Sequence, residues 1–406
     1  MPLSIGYALT ALTPTLDRPV YLAGFGQKRR AQSVHDDLTA RALALRNDQA
    51  ILVLCALDLI GFFRPYALEV ARRVGEQYPG AQVILASTHT HHGPDTMGLW
   101  GPDTRHSGID PEYLASVKKR LADVICQAIG AASRGIPAEA QTVAMLKAAS
   151  VCVPGLAKNA RNPEIVDDEL ACLQFIGLDG QPHASLFNFP CHPEVLWEHN
   201  PYITADYPGP LRDAVEADTG APCIFFSGSL GGMMTPDVKE HSFAEAEQMG
   251  LALAASGLKA LEETQIIDRM PEFSLRRAEI KIKVTNLLFK LAFRRGLLPD
   301  VRNRRGEVVT EVNLVRLGPL WLATVPGELL PKLGLALKAC LQEAGAPVAG
   351  IIGLANDELG YILPEEDFRY PLNPFRPGKH YEETMSLGKQ AGPLVVGAIK
   401  KILPVK

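Results

Sequence analysis

The stretch "ARALALRNDQAILVLCALD" (residues 40–58) decides the architecture. Two apolar runs flank Asn47-Asp48, a dipeptide suited to a tight turn, so the segment predicts a β-hairpin. "RPYALEVARRVGEQY" (64–78) follows with apolar residues at helical spacing and Pro65 placed for a first turn. "AQVILAS" (81–87) then predicts a third strand. The same order recurs twice. "ELACLQFIGLDGQPHASLFNF" (169–189) turns at Asp179-Gly180, a helix is expected near 208–217, and "PCIFFSG" (222–228) supplies the strand. "TEVNLVRLGPLWLATVPGE" (310–328), "LLPKLGLALKACLQEAG" (329–345) and "PVAGIIGLA" (347–355) make a third copy, although the copies share no residue-level identity. The fold class is therefore α/β: layered mixed β-sheets flanked by helices, built from repeated hairpin–helix–strand units, with an active site at the strand carboxyl ends.

Each copy carries polar groups where its strands stop. Asp58, His192 and Glu328 close the hairpins, and His89, Thr235 and Tyr361 follow the third strands. The run "LASTHTHHGPDT" (85–96) adds His91 and His92 in a chain with only 10 histidines. Gathered at one end of the fold, His89, His192, Glu328 and Tyr361 form an N/O donor set suited to one zinc ion per chain. Water bound to zinc loses several pKa units and becomes a nucleophile near neutral pH. In an extended segment His89 and His91 point to the same side, so one can ligate while the other carries a proton. Asp58, at the equivalent hairpin end, is expected to accept the remaining N–H of a ligating imidazole.

Composition narrows the alternatives. The chain has 406 residues, 47% of them hydrophobic, enough for a large core, and is expected to form one domain over 1–406. Its net charge of −4 leaves no field to hold nucleic acid. No apolar run is long enough for a membrane span, and neither that nor a signal peptide is expected. The cysteines number 7, an odd count without CxxC spacing, and five lie in apolar segments. Buried free thiols and a cytoplasmic location are the expectation. Stripes of apolar residues after Asp110-Pro111 and after Ser242, with Glu245 completing a capping box, read as core helices. "KVTNLLFKLAFRRGLLPDVRNRR" (283–305) sets seven Lys/Arg against the one acid Asp300. It suits peripheral contact with an anionic membrane or a lid, and equally a core helix with a solvated basic face. Oligomeric state is not legible.

The motifs also carry a resemblance. "STHTHHGP" resembles the THTHSGP signature of neutral (non-lysosomal) ceramidases. "FPCHPE", "ATVPGE", "LANDELGYILPEEDF" and "HYEETMSLGKQAGP" resemble further blocks of that family in the same order. The resemblance implies zinc ligands His89, His192, Glu328 and Tyr361, with His91 bonding the substrate amide or its tetrahedral intermediate and Tyr381 in the same pocket. "LAGFGQKRRAQSVHDDLTARAL" (22–43) resembles the family's N-terminal block and implies that Gly24 and His35 sit by the reacting centre. "AKNARNPE" (157–164) implies a nearby arginine, for which Arg161 is chosen over Lys158. Gly24, His92 and Thr235 are assigned to substrate binding, and His91, Tyr381, Arg161 and His35 to catalysis.

The departures bear on substrate. Where the family reads GDVSPN, this chain reads "GMMTPD" (232–237), with Met233 for the aspartate and Thr235 for the serine. The sequence stops at 406, short of the C-terminal immunoglobulin-like domain of longer members. The resemblance implies zinc-dependent hydrolysis of the N-acyl bond of ceramide-like lipids by a metal-activated water. The departures keep open an esterase or amidase acting on smaller, non-sphingolipid acyl compounds, and a non-catalytic lipid-binding homologue.

Overall fold

Three sheets of the same strand order account for the architecture. A computed structural model describes residues 2–133, 142–299, 301–370, 373 and 375–404. In the first sheet β1 (Ser4–Ala11), β2 (Thr39–Arg46) and β3 (Ile51–Leu57) run antiparallel in turn. After α1 (Arg64–Gln77), β4 (Gln82–Ser87) returns parallel to β3, and α2 (Pro111–Ser133) packs back on β1.

The second sheet repeats this with β5 (Val143–Cys152), β6 (Glu169–Gly177), β7 (Pro182–Phe189) and, after α3 (Pro208–Thr219), β8 (Cys223–Ser227) parallel to β7. Its closing helix α4 (Phe243–Glu263) packs on β5, and Ile267–Asp268 adds a short edge.

The third comprises β9 (Phe273–Lys283), β10 (Glu307–Leu317) and β11 (Leu320–Thr324), with α5 (Leu287–Arg294) inserted between β9 and β10. α6 (Pro331–Glu343) leads to β12 (Val348–Ile352), parallel to β11. After the short α7 (Tyr381–Thr384), α8 (Ala391–Ile402) packs on β9. The hairpin–helix–strand unit is thus real, and each copy is larger than the sequence suggested. A leading antiparallel strand and a closing helix complete it.

Local chemistry explains the turns. Asn47 Oδ1 accepts from Gln49 N and Ala50 N, closing the first hairpin. Gly180 takes φ 78 beside Asp179, a conformation that penalises a side chain. Asp110 accepts from Glu112 N and Tyr113 N, and Ser242 from Glu245 N, as the caps predicted.

The inner faces of all three sheets meet in one core, where Leu54 and Ile84 join Phe175 and Phe226, and Leu322 and Ile352. The outer faces pack under their own helices. Strands covered on both faces read as continuous apolar runs, which is why β3 and β8 lack polar alternation. Each fully buried Leu or Phe contributes about 1.5–3 kcal/mol relative to exposure.

At the carboxyl ends the sheets are stitched together. Ser227 Oγ donates to Thr88 O at 2.6 Å, Gly353 N to Ser227 O at 3.0 Å, and Asn188 Nδ2 to both Phe226 O and Ile351 O. The loops that leave these strands therefore gather at one place.

No helix among the described residues is long and apolar enough to cross a membrane. Cys55, Cys172, Cys191 and Cys223 are buried free thiols, whereas Cys126 and Cys340 are half-buried and Cys152 is exposed. Asp300, the one acid of the basic stretch, lies outside the described residues.

Candidate metal centre

The loops bring three imidazoles into van der Waals range. Ring centroids lie 5.0 Å apart for His89–His91 and His89–His192, and 5.3 Å for His91–His192. One nitrogen from each falls within 4.8 Å of the others, and all three residues are buried. A metal ion fits such a group.

The hydrogen bonds fix the tautomers. His89 Nδ1 lies 2.5 Å from Ile60 O, and His192 Nδ1 lies 2.9 Å from Met234 O. A carbonyl only accepts, so both Nδ1 atoms carry the proton and both Nε2 lone pairs turn toward the site. There they meet the carboxylate of Glu328: His192 Nε2 is 3.2 Å from Oε2 and His89 Nε2 is 3.7 Å from Oε1. Acceptors facing acceptors in a buried place are satisfied by a shared cation.

Tyr361 joins the set because Glu328 and Tyr361 pair directly between the parallel segments Glu328–Leu329 and Tyr361–Ile362. Its phenol also lies 3.5 Å from Met233 Sδ, the residue that stands where the family has aspartate. Burial, then the Glu328 charge, raises the Tyr361 phenol well above its ordinary range.

His91 is held differently. Its Nδ1 lies 2.9 Å from Glu194 Oε2, at salt-bridge distance without hydrogen-bond alignment. Burial lowers the His91 pKa although Glu194 opposes this, and burial likewise pushes His89 down to about 3 against the Glu328 charge. Glu194 is fully buried. Burial opposes its charge, but His91 and His192 outweigh that and hold it at about 2, with help from the Thr235 hydroxyl. Gly24 is pressed on the His91 ring: a Cβ there would lie 2.4 Å from His91 Cγ, and its φ of 106 also excludes a side chain.

A pocket of about 50 Å³ opens on the centre. His89, His91, Glu328, Tyr361 and Tyr381 give its polar wall, and Phe63, Phe289 and Leu298 its apolar wall. Glu358, which sequence reading missed, also lines it, with Oε2 unpartnered.

No protein-family sequence model matches the chain, and no curated protein sequence does. Two solved structures align over all of it. The neutral ceramidase from Pseudomonas aeruginosa does so with TM-score 0.77 and 20% identity, over 76% of its own chain. A ceramidase complexed with C2 gives TM-score 0.76 and 18% identity, again over 76% of that chain. The fold is that of neutral ceramidase.

Of the residues that the ceramidase resemblance implied, His89, His91, His192, Glu328, Tyr361, Tyr381 and Gly24 come together around the pocket. Others do not. His35 bonds Asp36 and stacks on Phe243 at 3.6 Å, half-exposed and outside the pocket, because the segment after Gly24 pairs with Tyr202–Ile203 rather than folding inward. His92 is fully buried behind His91, between Arg29 at 3.4 Å and Asp206 at 3.5 Å, where no substrate reaches. Thr235 sits on the short strand Met234–Pro236 and serves Glu194 rather than the pocket.

Arg161 does not touch the pocket. It bonds Glu382 at 2.6 Å and Glu383 at 2.9 Å, steadying the turn that carries Tyr381, whereas Lys158 pairs with Asp237 at the surface. Asp58 faces Arg212 and Thr39 instead of the imidazoles. Both its oxygens bind Arg212 at 2.9 Å and it also accepts from Thr39, while backbone carbonyls take the imidazole N–H groups expected of it.

The side-by-side placement of His89 and His91 also has another cause than strand alternation. β4 ends at Ser87 and His89 adopts φ 71, a left-handed turn that swings both rings into the pocket. Glu194 is the functional candidate that sequence reading passed over. Its signal was a carboxylate set in the apolar run "PCHPEVL", which only a buried partner explains.

Proposed function

We propose that the chain is a zinc-dependent amidohydrolase of the neutral ceramidase family, cleaving the N-acyl amide bond of ceramide-like lipids. The observation that carries this reading is the pair of Nε2 lone pairs, from His89 and His192, turned onto the Glu328 carboxylate beside the Tyr361 phenol. The ordered motifs and the shared fold point the same way. A divalent ion bound by His89, His192, Glu328 and Tyr361 supplies Lewis acidity and acidified water.

The chain's own groups do the rest. Glu194, ionised and beside His91 Nδ1, keeps a proton on that nitrogen and leaves Nε2 as the base. Nε2 takes the proton that water loses as the new C–O bond forms. It returns that proton to the amide nitrogen as the C–N bond breaks, so that amine and carboxylic acid leave. Tyr381, whose phenol lines the pocket and stays protonated, donates a hydrogen bond to the developing oxyanion.

The width of the pocket favours a second reading of the substrate. A cavity of about 50 Å³ walled by Phe63, Phe289 and Leu298 suits short acyl groups better than long chains. Release of free amine from N-acyl sphingoid bases and from short N-acyl amines, measured side by side, separates the two. Zinc by elemental analysis, with no turnover of either class, would instead identify a binding protein.

A further inference from the structure

We propose that the face formed by α5 with Phe368, Tyr370 and Phe375 docks on an anionic phospholipid bilayer. Leu287 and Phe375 are each 76% exposed and Tyr370 is 68% exposed. Together they rim an apolar groove of about 320 Å³ whose floor is Leu288, Leu291 and Phe368. Large side chains held in water around an apolar groove mark a surface meant to be covered.

Charge identifies the cover. Arg294 ends α5, Arg295, Arg304 and Arg305 follow it, Arg369 precedes Tyr370 and Arg376 follows Phe375; all six are exposed, and none of their guanidinium groups pairs with a carboxylate among the described residues. The acids of this face are already taken. Lys332 holds Glu366 and Asp367 at 3.0 and 3.2 Å, Lys389 holds Glu365 at 3.2 Å, and Arg161 holds Glu383 at 2.9 Å. Exposed apolar side chains with uncompensated arginines beside them along the chain match a bilayer interface with anionic headgroups.

The groove also stands next to the metal-site pocket. α5 turns Leu287, Leu288 and Leu291 to the groove and Phe289 to the pocket. Its start is fixed by Asn286 Nδ2, which donates to Thr384 O at 2.7 Å and Ser386 O at 2.8 Å. A chain seated on lipid by this face holds its pocket one helix away from the bilayer.

Co-sedimentation with phosphatidylcholine vesicles, with and without phosphatidylserine, tests this without requiring turnover, so its failure leaves the hydrolase reading intact. The full chain should partition onto the anionic vesicles and come off at high salt. Leu287→Ser with Phe375→Ser should cut partitioning at least tenfold with the thermal midpoint unchanged, since both side chains are exposed. Arg294→Gln with Arg295→Gln should cut it about 30-fold, about fivefold per cation. Equal binding to neutral and anionic vesicles, or no effect of either pair, overturns the proposal. So does a concentration-dependent dimer that the Leu287/Phe375 pair dissolves, because a second copy of the chain then covers the face.

Discussion

Asp58 and His192 end equivalent hairpins in the first and second repeats, yet one holds the fold and the other faces the site. Asp58 is met by the Arg212 guanidinium, with both oxygens bonded at 2.9 Å. Burial opposes its charge, and Arg212 outweighs burial, so its carboxyl stays below the ordinary range. His192 meets no cation. Its Nδ1–H is spent on Met234 O and its lone pair is left facing Glu328. Position in a repeat therefore brings a side chain to the strand ends, and its nearest neighbours decide its use.

Breaking the His192 side should have the largest effect. His192→Ala should lower metal affinity more than about 100-fold, beyond the range of residues that only orient a ligand, with turnover lost as metal is lost. Titration with zinc under competition by a chelator checks it, and retention of stoichiometric metal would refute the assignment.

His91→Ala sharpens the comparison within the histidines. Turnover should fall about 10²–10⁴-fold while metal stays bound, the behaviour of a proton carrier. Loss of the metal instead would make the three imidazoles the ligand set.

The Asp58 side should show up in stability. Asp58→Ala leaves Arg212 buried without its partner and should cost about 3–5 kcal/mol, with metal affinity unchanged. The sign with pH follows from the depressed carboxyl. Its contribution is present above the unfolded value of 3.8 and lost as pH falls through the lower folded one. Urea midpoints taken from pH 7 down into that range should converge for wild type and Asp58→Asn.

Thr235→Ala should cost about tenfold in turnover, on the scale of one hydrogen bond to a charged group, because its hydroxyl helps to hold Glu194 ionised. An acyl group trapped on residue 235 would refute this. His35→Ala should change turnover about twofold at most, as for a surface site. A larger drop would mean that the loop after Gly24 closes over the pocket during the reaction.

Period and turn chemistry are local, so the three hairpins, the crossover helices and the caps of the closing helices α2 and α4 were legible along the chain, as were the metal-type residues where strands stop. Hydrogen-bond partners are not local. Which carboxylate accepts from which imidazole was settled by carbonyls at Ile60 and Met234, one 29 residues before His89 and the other 42 after His192. Glu194 becomes a candidate only because packing buries it beside His91. His35 and His92 carried the right side chains in the right motifs, and the chain turned them to Phe243 and Asp206 instead.

By itself the sequence determined that apolar runs of strand length alternate with helices and deliver histidine, glutamate and tyrosine to strand ends. Only the tertiary structure decided which of those groups share one buried space. That choice depends on side-chain burial and on pairing between the three sheets, where an unpartnered charge costs several kcal/mol.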